Sequence, residues 1–235
     1  MMGKLSRAIG LFLAIAIFLG GCAGLGPVLT KGEAYPLMYT DIKPVSVVVV
    51  PAVNKTTAAD AADLINVTLT QPFADSGYYV LPIAIASEIF KQEGVIDGEQ
   101  VFNFPVSVFK RNFGADAVLY VTINSWDKSY YVIGGNVTVG MSYVLVSTET
   151  SDVLWTAKKE FVVDTGGDAG GGLLGAVIST AINTATTDYL PIARQVNALA
   201  VASLPAGQYH PNSGLDAEDR AVLESQKDVA LEDHE

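Results

Sequence analysis

The 235-residue chain has one cysteine and two histidines. A single cysteine excludes an internal disulfide, and with so few imidazoles it leaves no plausible zinc ligand set. No Gly-x-Ser-x-Gly stretch offers a serine nucleophile with a base in reach. Both histidines, His210 and His234, lie in or beside an acidic stretch and read as ordinary surface residues. Basic residues are scarce too: 14 Lys and Arg stand against 25 Asp and Glu, a net charge of −11. Such a chain is repelled by nucleic acid and by anionic lipid faces, and no basic patch counters this. No cofactor, metal or small-molecule substrate is expected. Half the residues are apolar (50%), so the fold must be held by a hydrophobic core rather than by covalent staples.

The organising stretch runs from Lys4 to Cys22. Lys4 and Arg7 precede an uncharged apolar run from Ala8 to Leu19, and small residues follow it. A basic start, a short apolar run and small residues make an export signal. The run is too short for the ~20 residues that cross a hydrocarbon core. Leu19-Gly20-Gly21-Cys22 resembles a bacterial lipobox. That resemblance implies a diacylglyceryl group on the Cys22 sulfur, cleavage before Cys22 and acylation of the new amine. Removing residues 1–21 of 235 leaves 214, and losing Lys4 and Arg7 takes the charge from −11 to −13. Two or more acyl chains anchor stably, at ~0.8 kcal/mol per buried methylene. By resemblance to Gram-negative lipoproteins, Ala23 in place of an aspartate implies the outer membrane, facing the periplasm, with display on the outer surface as the alternative.

Residues 22–40 are rich in Gly and Pro without apolar period, and read as a flexible tether. A globular domain is expected over 41–209. Val45 to Pro51 reads as a strand buried on both faces. Thr57-Ala58-Ala59-Asp60 looks like a capping box, starting a helix whose Ala61, Leu64, Ile65, Leu69 and Phe73 share a face and which Gly77 closes. Tyr78 to Leu81 is a second short strand, so the opening is a parallel βαβ unit. Helices are predicted over Ile83 to Glu93, ended by Gly94, and from Pro105 to Gly114 with Val106, Phe109 and Phe113 on one face. Ala115 to Ile123 is the second buried strand. Tyr130–Ile133 and Val137–Ser147 form a hairpin around Gly134-Gly135-Asn136, and Val153 to about Val163 completes an antiparallel meander. Gly166 to Gly172 is a loop. Leu174 to Leu199 carries a helical stripe, interrupted at Pro191, that covers the sheet or, as the alternative, packs on another subunit or touches the membrane. The acidic residues 210–235 are predicted to be disordered or loosely helical. The fold class is α/β leaning to α+β: a mixed sheet of about five strands, with helices packed on it.

Gly114-Ala115-Asp116-Ala117-Val118-Leu119-Tyr120-Val121 is similar to the central strand of certain periplasmic α/β domains. Tyr143 to Trp155 is similar to their hairpin, where a turn leads into a strand bearing an apolar-Trp pair. These domains include the N-terminal domain of the Tol-system propeller protein, the curli-secretion channel lipoprotein and the lipoprotein activators of penicillin-binding proteins. With the lipobox, the chain most resembles a family of bacterial outer-membrane lipoproteins of unknown function with this fold, over about Asp41 to Tyr209. Tyr120 stands where many relatives carry glycine. The sequence shows no long amphipathic hairpin of the kind a pore needs, which speaks against a channel.

Paired carboxylates for glycosidic cleavage could be drawn from Asp60, Asp63, Asp116 or Asp127, but helix-start and strand-entrance roles explain Asp60 and Asp116 more simply. The Gly166–Gly172 loop lacks the Gly-Lys-Ser/Thr of a phosphate cradle. The sequons at Asn54, Asn66 and Asn136 read as turn and surface positions, and Tyr143 and Trp155 as core. The chain is therefore expected to be no enzyme. It reads as an envelope adaptor or assembly factor, held to the membrane at Cys22 and working through an envelope protein partner or another copy of itself. The alternatives are an accessory of a curli-type secretion channel and an envelope hydrolase.

Overall fold

The two β-branched runs lie side by side at the centre of the sheet. The computed structural model describes residues 28–40, 43–95, 97–131, 134–164 and 190–223. In chain order the elements are β1 (Val28–Thr30), α1 (Lys31–Ala34), a 3-10 turn (Pro36–Tyr39), β2 (Ser46–Val49), β3 (Val53–Asn54), α2 (Ala61–Asp75) and β4 (Tyr79–Val80). Then follow α3 (Ile83–Gln92), α4 (Gly98–Val101), α5 (Ser107–Phe113), β5 (Ala117–Tyr131), β6 (Gly134–Ser147), β7 (Val153–Asp164), α6 (Leu190–Val201) and β8 (Arg220–Leu223). The main sheet is six-stranded, ordered β4-β2-β5-β6-β7 with β3 also on β5, and β1 pairs β8 in a separate two-stranded sheet.

The βαβ opening is observed: β2 pairs in parallel with both β4 and β5. The meander of β5, β6 and β7 is antiparallel. Helix α2 ends as predicted, with Gly77 at φ 87°. Glycine is required there twice over, because a Cβ would also collide with the His210 backbone. Its start differs: Asp60 is the N-cap residue but makes no side-chain capping bond, so no capping box forms.

The sheet carries a core on each face. On one side α2 and α6 cover Val47, Val49, Leu119, Tyr143, Leu145 and Trp155. On the other, α3 and α5 cover Val48, Val50, Val118, Tyr120 and Val144. Continuous β-branched runs are what a strand buried on both faces demands. Trp155 and Tyr143 are fully buried, and the Trp155 ring meets Phe73 edge-on at 6.2 Å. A polar tie runs through this layer. The Tyr143 hydroxyl donates to Asn197 Oδ1 at 2.7 Å, and Asn197 Nδ2 donates to the Ile65 carbonyl (3.0 Å) and Thr68 Oγ1 (2.8 Å). It joins β6, α6 and α2 with every member satisfied. The described part of the expected 174–199 helix is therefore core, with Pro191 in its first turn; 174–189 lie outside the described residues.

Three expectations are corrected. Within the predicted tether 22–40, Val28 to Tyr39 form regular structure, and Ala34, Tyr35 and Met38 join the core with residues of β7 and α6. Within the acidic tail 210–235, residues 210–223 are part of the fold, and β8 pairs with β1; 224–235 lie outside the described residues. The buried strand and the first arm of the hairpin are one strand, β5, paired with β6 from Ala117↔Ser147 to Tyr131↔Gly134. That hairpin is longer than the one expected over residues 130–147.

The cause of this last difference is a bulge. The register shifts between Ile123 and Ser125, so Ile123 faces Met141 and Trp126 faces Val139. The extra residue, Asn124, is what turns Trp126 to the core face, where it is 5% exposed. Simple alternation would have placed Trp126 with the polar residues, hence the apparent break. Trp126→Ala should therefore cost about 3–5 kcal/mol, that of truncating a buried tryptophan, read as a lowered urea midpoint. An unchanged midpoint would mean that Trp126 faces solvent and that no bulge turns it inward.

Candidate functional site

The four candidate carboxylates lie at three places in the fold. Asp60 and Asp63 are at the start of α2, Asp127 is in the outer half of β5, and Asp116 precedes β5. Asp116 is a structural staple. Its Oδ2 accepts from the Val45 amide (3.1 Å), the Ser46 amide (2.9 Å) and the Ser46 hydroxyl (2.8 Å). Its Oδ1 takes Lys110 Nζ at 2.5 Å, and the Ser46 carbonyl accepts from the Asp116 amide at 3.0 Å. One carboxylate thus fixes the entry of β2 against β5. Partial burial raises its pKa, but Lys110 and the Ser46 and Val45 donors outweigh this and bring it down to about 2.

A second knot joins the two ends of the described chain. Antiparallel pairing sets Val28 against Leu223 and Thr30 against Arg220. The Lys31 amide donates to Asp219 O and the Gly32 amide to Ala217 O, both at 2.8 Å. Lys31 Nζ reaches Asp216 Oδ2 at 3.0 Å and the Leu204 carbonyl at 2.9 Å. Asp216 also accepts from the Ala206 amide (2.9 Å) and the Tyr39 hydroxyl (3.1 Å). Burial opposes the charged form of Asp216, yet Ala206, Lys31 and Tyr39 together keep its pKa below the ordinary value. Thr30 and Glu33 form a reciprocal capping box at the start of α1. That Thr-Lys-Gly-Glu signature was in the sequence, inside the stretch read as tether.

Beside this knot a groove runs between α2 and α6. One part, about 390 Å³, is bordered by Thr68, Gln71, Arg194 and Gln195. A second, about 320 Å³, reaches His210, Asn212 and Asp219, and both share Pro72, Asp75 and Ala198. Pro72, inside α2, lacks the N–H that would bond the Thr68 carbonyl. On the opposite layer Ile85 and Ile89, one turn apart on α3, are 62% and 38% exposed.

The remaining sequence candidates fall as follows. His210 Nδ1 accepts from the Asn212 amide at 3.1 Å, a turn contact. Asn54 makes a turn, taking the Thr56 amide and hydroxyl, and Asn136 is in β6. Asn66 is not a surface residue: it is 7% exposed within α2. Cys22, the 166–172 loop and His234 lie outside the described residues. Among the described residues no group of three His, Cys, Asp or Glu is placed for a metal, and no helix is long and apolar enough to cross a membrane.

The lowered pKa of Asp116 sets a sign. Its stabilisation is fully present above the ordinary 3.8 and is lost as pH falls through about 2. Thermal unfolding of the wild type should hold steady down to about pH 5 and fall below pH 4. In Asp116→Asn the fall should be shallower and the neutral-pH stability lower. An identical acid profile in both proteins would contradict the staple.

Comparison with known proteins agrees with this architecture. The chain is 28% identical over 172 residues to the lipoprotein NMB1124/NMB1162 of Neisseria meningitidis serogroup B, covering 73% of this chain and 80% of the relative. The crystal structure of lipoprotein GNA1162 from Neisseria meningitidis is similar at a TM-score of 0.51 and 28% identity, over 60% of this chain and 97% of that one. A dodecameric PelC from Paraburkholderia phytofirmans is more distant, at a TM-score of 0.42 and 16% identity, over 76% of this chain and 92% of that one. The family model described as GNA1162-like lipoprotein matches residues 36–213, beginning inside the stretch read as tether and running past residue 209. With well over half its length matched, the chain belongs to the GNA1162-like lipoprotein family.

Proposed function

We propose that this chain is a lipid-anchored adaptor or assembly factor of the bacterial envelope, acting through protein contacts and not through catalysis. The observation that carries the reading is the knot of Lys31 with Asp216. It fastens the residues next to the proposed lipid site, Cys22, to the folded domain. An attachment so close to the fold serves to hold a binding surface near a partner, raising its local concentration. Asp116 is held ionised by its partners, which does not suit a general acid, whose pKa must be raised. Ala23 after the cysteine supports the outer membrane as its address. Binding surface is available in the α2–α6 groove and at Ile85 and Ile89. The partner is another envelope protein or a second copy of this chain.

The long β5–β6 hairpin favours a second reading, as an accessory of an export channel, since it supplies the extended strand pair that such a role requires. Sizing of the lipidated protein in detergent separates the two: a ring-sized particle supports the channel accessory, a monomer or dimer the adaptor. For the adaptor, in-cell crosslinking from Ile85 should capture a defined partner with wild type and lose it with Cys22→Ala. Equal capture by the released domain would overturn the tethering mechanism.

A further inference from the structure

We infer that the domain does not swing on a leash but rests on the lipid surface in one orientation, with the β1–β8 end down. This deepens the anchored reading above and rests on acylation of Cys22. Only Ala23 to Pro27 separate that residue from Val28, the first residue of β1. Six peptide steps at ~3.3–3.6 Å reach roughly 20 Å when fully extended. A domain of this size has a radius of gyration of about 16 Å and so a diameter of roughly 40 Å. The leash is shorter than the object it holds.

A short leash orients a body only if its attachment point is rigid. Here Val28 and Thr30 are laddered to β8, and the Lys31 and Gly32 amides are bonded to Asp219 and Ala217. Lys31 is tied to Asp216, and Ala34, Tyr35 and Met38 are in the core. Leu29 and Ala221 pack on the same core as α2 and α6. Helices α3 and α5 pack on the other face of the sheet. The sheet thus lies between β1 and α5, so α5 stands farther from the bilayer than β1. With a net charge of −11 the chain is not drawn to anionic headgroups, so the contact is one of enforced proximity and not of charge attraction. A partner must then present its contact site within about one domain diameter of the same membrane.

The test uses the full lipidated chain in phosphatidylethanolamine–phosphatidylglycerol vesicles with a headgroup-attached acceptor dye. Acylated Cys22 leaves no free thiol, so Arg220→Cys on β8 and Arg111→Cys on α5 each carry one donor dye. Energy transfer should be severalfold stronger from Arg220→Cys. A long Gly/Ser insert between Gly24 and Leu25 should abolish the difference while circular dichroism stays unchanged. Equal transfer from the two sites without the insert, or a difference that survives it, overturns the orientation. Protein that fails to float with the vesicles removes the anchor itself, a separate failure from equal transfer in protein that floats.

Discussion

The contact on which the rest depends is the ion pair of Lys31 with Asp216, two residues far apart in sequence that meet in a nearly dry site. Their side chains are 11% and 4% exposed. Taking both charges out of water is costly, and their attraction offsets this only because each has further partners: the Leu204 carbonyl for the lysine, the Ala206 amide and Tyr39 hydroxyl for the aspartate. Such a pair adds little net stability over an apolar replacement, but losing one partner costs about 3–5 kcal/mol. Its value is specificity. It sets the register of β1 on β8 and so decides that Val28 to Tyr39 belong to the fold.

The same logic recurs in the body. Asp116 binds two amides, a hydroxyl and an ammonium to align β2 with β5, and Asn197 links α6 to both Tyr143 and α2. Each polar group is satisfied by several donors or acceptors, so each specifies one arrangement and penalises slippage. The apolar layers supply the bulk of the driving force but would tolerate shifts, because valines are interchangeable along a strand. The three polar knots supply what the valines lack.

Much of this was legible in the sequence, and the failures have physical causes. Val47 to Val50 and Ala117 to Ile123 announced a doubly covered sheet, and Gly77 marked a helix end through its obligatory positive φ. The bulge at Asn124 was not legible, since period-two reasoning has no term for an inserted residue. The terminal segments were misread for a different reason. Gly32 and Pro36 suggest a linker and the acids after His210 suggest disorder, yet Gly32 lets the backbone lie close to Ala217 and Asp216 is buried against a lysine far away in sequence. Composition sees residues singly, while this knot is a long-range pairing. Only the Thr30-Glu33 capping box gave a local sign of it. The role of Asp116 was misassignable for the same reason, as its partners at Val45 and Ser46 are far away in the chain.

Membership of a lipoprotein family, with β1 at Val28 only six residues after the proposed acylated cysteine, describes a domain held at a membrane. That picture requires β1 and the start of α1 to be as firmly part of the fold as the sheet. Native-state hydrogen exchange at the Lys31 and Gly32 amides tests this most directly. Bonded to Asp219 and Ala217, they should be protected nearly as strongly as the amides of β5. Exchange at the rate of an unstructured peptide would mean that the segment is a free linker and that the mount does not exist.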